Sequence, residues 1–157
     1  MFKRVKPPRT LARWFINRVD RDAGAVITHL KVHKLLYYAQ AWALANFNKS
    51  IFTEDMQAWT HGPVVPSVWQ KYRNSGWQAL PPESAANLGD ENLENYLEIV
   101  FERYAKYSAK ELERMTHNDD PWRKTRGILP LEARCTSPID KNLIRDFYAA
   151  RINKSWN

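Results

Sequence analysis

The sequence predicts an all-α fold, a compact single domain of about six helices around one long central helix. Apolar residues recur at helical spacing in most segments, helix-capping residues precede several of them, and strong strand patterns are nearly absent. At 157 residues the chain fits one domain that can bury a core without disulfides or metals. We expect at most a minor short strand, near residues 56–59.

The first two helices are indicated by periodic apolar residues behind a capping side chain. Thr10 can cap a first helix, and the Asp22-Ala23-Gly24 segment can end it. Thr28 then opens the longest apolar segment, THLKVHKLLYYAQAWALANF, which predicts a helix over about 28–47. Its wide apolar stripe makes it the expected core of the fold.

The middle of the chain is predicted to be largely irregular. The short strand near 56–59 leads into a helix from Pro66 to about Arg73, with proline at its first position. Residues 74–92 contain several Gly and Pro residues and indicate the longest loop. We expect this loop to be mobile or to be used in contacts.

Four helix starts are indicated in the second half of the chain. Each is marked by a side chain that can cap a helix, by capping-box spacing, or by proline at the first helical position. These starts are Asp90, Ser108 with Glu111, Asp120-Pro121 and Ser137-Pro138.

Cysteine content and hydropathy predict a soluble cytoplasmic protein with no membrane association. The single cysteine, Cys135, cannot form an internal disulfide, and no Cys/His cluster has zinc-ligand spacing. The N-terminal segment MFKRVKPPRTLARWF is basic but lacks the apolar stretch of a signal peptide. No later run approaches transmembrane length.

Positive charge is concentrated in the first half of the chain. Residues 1–78 hold twelve Lys/Arg against four Asp/Glu, whereas residues 79–157 hold twelve against thirteen. This asymmetry favours an acidic partner, although a solvated basic surface explains it as well. The basic face of the first helix supplies candidate partner contacts at Arg13, Arg18 and Arg21.

Nucleic-acid binding is the alternative function that the charge suggests. The N-terminal basic residues and the WRKTR cluster are interleaved with Trp and Tyr that could stack on bases. No helix-turn-helix, zinc-finger or RNP-like sequence accompanies them, and most aromatic residues lie on apolar helix faces. We therefore do not expect nucleic acid as the main partner.

Two histidine groups could carry chemistry, but both have simpler structural explanations. His29 and His33 would share one helix face as zinc ligands do, yet they lack the Glu that directly follows the first His in zincins. His117 lies beside Asp119 and Asp120, in positions where helix ends favour these residue types. We expect no metal site, no cofactor and no catalytic residue here.

A third histidine, His61, stands in the stiff segment AWTHGPVVPSVWQKYR. Gly62 can adopt a positive φ, and Pro63 and Pro66 fix two further φ angles. The sequence offers no nucleophile elbow, no glycine-rich phosphate loop and no catalytic frame around Cys135. His61 therefore lacks the usual partners of an enzymatic histidine.

Three motifs, in this order and spacing, resemble the Panacea domain, a SocA-like antitoxin family found in prophage-associated proteins. They are HLKVHKLLYYAQAWALA, FTEDMQAWTHGPVVPSVWQKY and LERMTHNDDPWRKTR, and the likeness spans about residues 28–150. It implies a Panacea-like helical domain over 28–153, packed as one compact unit with a basic N-terminal helical segment over 1–27.

The resemblance implies a non-enzymatic antitoxin, a cytoplasmic bacterial or phage protein that binds and neutralises a protein toxin encoded nearby. Antitoxins of this family pair with toxins of several unrelated folds, and the family's namesake delivers its toxin to the protease ClpXP. Direct neutralisation and proteolytic delivery both stay open. The candidate structural or partner-binding positions within these motifs are Lys34, Leu35, Tyr37, Tyr38, Gln40, Ala58, Trp59, His61, Gly62, Pro63, Pro66, Trp69, His117, Asp120, Pro121 and Trp122.

Overall fold

The second helix is the centre of the fold, as expected. The computed structural model describes residues 2–152, and within this range it contains seven α-helices and one two-stranded sheet. The predicted all-α class with a minor strand is thus confirmed. In chain order the elements are α1 (Pro8–Arg18), α2 (His29–Phe47), β1 (Gln57–Trp59), β2 (Gly62–Val64), α3 (Pro66–Tyr72), a 3-10 turn (Arg73–Ser75), α4 (Glu91–Tyr104), α5 (Ala109–His117), α6 (Asp120–Arg126) and α7 (Lys141–Ala149).

Helix α2 is closed at both ends by local signals. The Thr28 side chain accepts a hydrogen bond from the Lys31 amide, and Asn48 adopts the left-handed conformation that ends many helices. Every residue from Val32 to Leu44 is buried. A helix buried on all sides needs neighbours on all sides, so α2 organises the packing of the other elements.

The surrounding helices each bury one apolar face in a common core. Leu11 and Phe15 of α1, Leu97 of α4, and Ile144 and Tyr148 of α7 belong to the same buried cluster as α2. Each such side chain contributes about 1.5–3 kcal/mol when removed from water. The N-terminal helix is therefore part of this core. The predicted domain limit at residue 153 lies outside the described residues.

Strand β2 was not anticipated from the sequence, and it pairs with β1 in an antiparallel hairpin. Its residues Gly62 and Pro63 are depleted in strands and locally indicate a turn. The hairpin forms because β1 lies opposite and α2 lies beneath. The paired residues are Gln57 with Val64, Ala58 with Pro63 and Trp59 with Gly62.

Two predicted helix starts are wrong, and two capping predictions are confirmed. Helix α1 begins at Pro8 rather than Thr10, because proline already has the φ of a first helical residue. Helix α7 follows Asp140, whose side chain caps it, and not Ser137. The cap at Asp90 and the capping box of Ser108 with Glu111 are both present.

Within residues 2–152, no helix is both long enough and apolar enough to cross a bilayer.

Candidate functional site

A cleft of about 890 Å³ opens where the start of α2, the hairpin and α3 meet. Its walls include several aromatic and imidazole rings, among them Trp59, Trp69, Trp77, His29 and His33, and no Asp or Glu of the described chain lines it. Ligand sites are typically clefts of this size, with mainly apolar walls and a few placed polar groups. This cleft is therefore the candidate binding site.

Three tryptophans from different elements form its apolar wall. Trp59 ends β1 and Trp69 lies on α3, and their rings meet edge to face with centroids 5.2 Å apart. Trp77 follows the 3-10 turn and is 70% exposed. Its ring contacts the His61 imidazole at a centroid distance of 5.8 Å. An exposed aromatic group of this kind is typical of a protein interaction surface.

His61 lines the cleft and contacts Glu113 of α5 instead of packing in the core. Its side chain is 56% exposed, and its Nδ1 lies 2.6 Å from Oε1 of Glu113. The two Thr-His segments of the chain meet here, since a Cβ added to Gly62 would lie 2.8 Å from Oγ1 of Thr116. His61 therefore ties the hairpin turn to α5 while most of its ring stays accessible.

His29 and His33 form a polar part of the cleft wall. Nδ1 of His33 accepts a hydrogen bond from the Val65 amide at 3.2 Å. Burial, followed by the charge of Lys34, holds the pKa of His33 well below its ordinary value and also lowers the pKa of His29. Nε2 of His33 and Nδ1 of His29 are buried without a hydrogen-bond partner among the described residues.

These rings do not assemble a metal site. Three histidines and Cys135 line the cleft, but no group of three His, Cys, Asp or Glu side chains in residues 2–152 is placed to hold a metal ion. The imidazoles of His29 and His33 instead meet edge to face, with centroids 5.8 Å apart.

The hairpin closes over Lys34. This side chain is fully buried, and its Nζ has no hydrogen-bond partner within residues 2–152. Gly62 has φ +107°, and a Cβ at this position would lie 2.7 Å from Cε of Lys34. Burial lowers the pKa of Lys34 from 10.5 to about 7, against the opposing charge of Glu113. Glycine is thus needed for the hairpin to approach α2 so closely.

The third motif joins α6 to the back of the hairpin. The His117 ring stacks on Trp122 at 4.1 Å, and Nε1 of Trp122 donates to the Trp59 carbonyl at 2.8 Å. Arg126, which the sequence places in a basic cluster, is buried. Its guanidinium donates to the Ala58 carbonyl and to three carbonyls within residues 130–133. These contacts hold the strand that carries Trp59.

His117, Asp119 and Asp120 do not converge on one reaction site. Asp119 accepts hydrogen bonds from the Tyr37 and Tyr148 hydroxyls, in a second cavity of about 370 Å³. Burial raises the pKa of Asp119 to about 6, against these two hydrogen bonds. Asp120 instead forms surface ion pairs within α6.

The other motif residues shape the backbone and the core. The Gln40 side chain bonds the Ile51 amide and the Phe52 carbonyl, which fixes the segment after α2. Tyr38 stacks on Tyr104 at 3.9 Å. Leu35 and Ala58 are buried, Pro63 lies in β2, Pro66 begins α3, and Pro121 is the second residue of α6.

Arg13, Arg18 and Arg21, the basic residues of α1 and the segment after it, form hydrogen bonds with other residues of the protein. They tie this region to the loop before α4 and to α4, and Arg18 also lies 4.8 Å over the Phe101 ring. Their use as partner contacts stays a prediction. The bonds are Arg13 Nη2 to the Ala85 carbonyl at 3.5 Å, Arg18 Nε to Glu98 Oε1 at 2.5 Å and Arg21 Nη1 to the Leu80 carbonyl at 3.0 Å.

Among the cleft residues that were not predicted from the sequence are Trp77 and Arg134. Both lie outside periodic segments. Trp77 could have been found as a large aromatic residue in a glycine-containing loop, where helix burial does not explain it. Arg134 offers no such pattern.

Comparison with known proteins gives one match. The family model described as "Antitoxin SocA-like, Panacea domain" matches residues 32–123. No curated protein and no solved structure matches the chain. The matched range is more than half of the 157 residues and includes the hairpin and α3, which build the cleft. The matched range runs from the interior of α2 to just past Trp122, which stacks on His117. The chain belongs to the SocA-like Panacea-domain antitoxin family.

Proposed function

We propose that this protein is an antitoxin that neutralises a protein toxin encoded nearby by binding it directly, with the cleft and its rim as the contact surface. One observation carries the proposal. Four of the candidate positions predicted from the sequence, Trp59, His61, Pro66 and Trp69, line one open cleft within the family-matched range. Their proximity to the exposed Trp77 supports a protein-binding role over a purely internal one.

The chemistry of the cleft suits a protein partner. A few buried aromatic and arginine residues usually dominate the affinity of an interface. Trp77, with most of its surface free, would gain most from burial against a toxin. The basic first half of the chain would attract an acidic toxin at long range. Neutralisation would then be stoichiometric occlusion of the toxin.

Co-expression with the adjacent open reading frame tests this function. We expect the neighbour to be toxic alone, and the antitoxin to restore growth and to copurify with it. Trp77→Ala should weaken binding at least about tenfold. The matched control is Ile99→Ala, which removes a 52% exposed apolar side chain from α4 and should leave binding unchanged.

Two results would count against the proposal. A neighbour that is neither toxic nor bound would remove the antitoxin function. Equal binding by the wild type and Trp77→Ala, with Ile99→Ala also unchanged, would remove the cleft as its contact surface.

Family membership also supports a second mechanism, delivery of the toxin to ClpXP. The half-life of the toxin, measured with the antitoxin present in cells with and without ClpXP, separates the two mechanisms. Direct neutralisation predicts growth rescue without ClpXP and a stable toxin. Delivery predicts rapid toxin loss that depends on the protease.

A further inference from the structure

We propose that the cleft binds an extended peptide segment of the partner, hydrogen-bonding the main chain of one residue through His29 and His33 and packing a nearby apolar side chain against the tryptophan rings. This inference deepens the proposed function and rests on it for the identity of the partner. The cleft chemistry itself is independent of which toxin supplies the segment.

His33 supplies a hydrogen-bond donor. Its Nδ1 already accepts from the Val65 amide, so the neutral ring carries its proton on Nε2. Within the described residues this N–H has no acceptor, although His33 is 1% exposed. A buried donor without a partner is costly, and a ligand carbonyl would relieve that cost.

His29 supplies the complementary acceptor. In a neutral imidazole one nitrogen carries the proton and the other accepts a hydrogen bond. Burial and the charge of Lys34 lower the pKa of His29, which favours the neutral ring. Its Nδ1 is buried and makes no hydrogen bond to residues 2–152, so with the proton on Nε2 it is free to accept from a ligand.

The two imidazoles match the main chain of an extended residue. They lie one helical turn apart on α2, with ring centroids 5.8 Å apart. In an antiparallel pair, one residue presents both its N–H and its C=O to the same side. Two rings at this spacing, both lining the cleft, can offer a donor and an acceptor to these two groups. The apolar walls of the same cleft, formed by Trp59, Trp69 and Trp77, suit a neighbouring side chain.

A neutral segment fits this site better than an anion. An ionised carboxylate or a phosphate diester offers only acceptors, and an unprotonated Nδ1 of His29 would repel it. Arg134 is the one Lys or Arg side chain among the described residues that line the cleft. Nucleotide phosphates are usually held by several cations or by a glycine-rich loop, and the cleft has neither. The observations therefore favour a peptide.

Ligand entry requires a small rearrangement. Both unpartnered nitrogens are closed off from solvent, so the rings that line the cleft must separate before a ligand reaches them. Trp77 is the most exposed of these tryptophans and has the greatest freedom to move. Binding should therefore change tryptophan fluorescence as well as the imidazole resonances.

Blocked amino acids test the inference on the unaltered full chain. The probe is N-acetyl-leucine N′-methylamide, and its matched control carries a methyl group on the leucine nitrogen and so lacks the N–H. We expect millimolar binding of the probe, shifts of the His29 and His33 ¹⁵N resonances, and about tenfold weaker binding of the control. N-acetyl-leucine as the free acid should bind more weakly than the amide.

A His29→Phe variant keeps a planar ring and removes the acceptor. It should lose the preference for the probe over its N-methylated control while retaining the native circular dichroism spectrum. Equal affinity for the two compounds in the wild type, no imidazole shift at saturating probe, or tighter binding of the free acid would overturn the inference.

These titrations need no toxin, so they are separable from the co-expression test. Growth rescue without probe binding would retain the antitoxin function and remove the peptide site. Probe binding without rescue would retain the site and remove the antitoxin function.

Discussion

Replacing Lys34 with methionine should make the protein more stable. Lys34 is fully buried on α2, and its Nζ has no hydrogen-bond partner among residues 2–152. Methionine has a similar length and carries no charge, so it fills the same space without the cost of burying an ammonium group. The increase in the free energy of unfolding should come from removing a buried charge from the core beneath the hairpin.

The size of the effect follows from the pKa of Lys34. Burial lowers this pKa from 10.5 to about 7, a difference of about 3.5 units. At about 1.4 kcal/mol per unit, the folded chain is destabilised by up to about 5 kcal/mol at and below pH 7. Between pH 7 and 10.5 the unfolded chain binds more protons at Lys34 than the folded chain does, so stability rises with pH. The free energy of unfolding is therefore lower at pH 7 than at pH 10.5.

Urea unfolding of the wild type and Lys34→Met at pH 7.5, 8.5 and 9.5 measures this directly. The stability advantage of the variant should shrink by about 1.4 kcal/mol per pH unit, because other titrating groups are common to both chains. Lys49→Met changes an exposed lysine just after the same helix and should show no such trend. Parallel pH dependences for the wild type and Lys34→Met would refute the reasoning, since Lys34 would then be charged in the fold.

Three further substitutions test the packing around the hairpin and the second cavity. Gly62→Ala should lower the free energy of unfolding, measured with urea, by about 2 kcal/mol or more, because the φ of Gly62 is +107° and the new Cβ would clash with Lys34. Gly24→Ala is the control for the backbone strain alone, since Gly24 has φ +86° and a Cβ there would have no atom within 4 Å. Arg126→Met should lower the free energy of unfolding by about 3 kcal/mol, since four carbonyls lose their charged donor. Thermal unfolding measures this change, and a loss under about 1 kcal/mol would contradict the role of Arg126 in holding the strand. The pKa of Asp119 is raised from 3.8 to about 6, so the folded chain holds the extra proton between these values. The wild type should therefore gain stability relative to Asp119→Asn as the pH falls from 6 to 4, and a constant difference would contradict the raised pKa.

Helices closed by local signals were predictable from the sequence. Thr28, the apolar stripe behind it and the capping box of Ser108 with Glu111 act within a few residues of one another, and the structure retains each of them. Strand β2 was not predictable in this way. Gly62 and Pro63 disfavour a strand locally, and only pairing with β1 and packing over α2 impose one.

The candidate site was only partly predictable for a similar reason. Trp59, His61 and Trp69 stand in one motif, but His33 joins them only because the Val65 amide reaches its ring from 32 positions away. Arg126 has the neighbours of a surface residue in the sequence. Its burial depends on carbonyls of a loop that folds back after α6. Such long-range contacts produce no periodic pattern in the sequence.

The distribution of unpartnered buried groups connects stability to the cleft. Six buried side-chain atoms within residues 2–152 lack a hydrogen-bond partner, and three of them belong to His29, His33 and Lys34. These residues lie within two turns of α2, where the hairpin crosses it. Half of these atoms thus lie where the cleft forms, although apolar side chains there would favour folding. Proteins commonly depart from optimal packing at functional sites. The Lys34 measurement and the peptide titration therefore examine the same region from two sides: one asks how much stability is lost beneath the hairpin, and the other asks which ligand the neighbouring imidazoles bind.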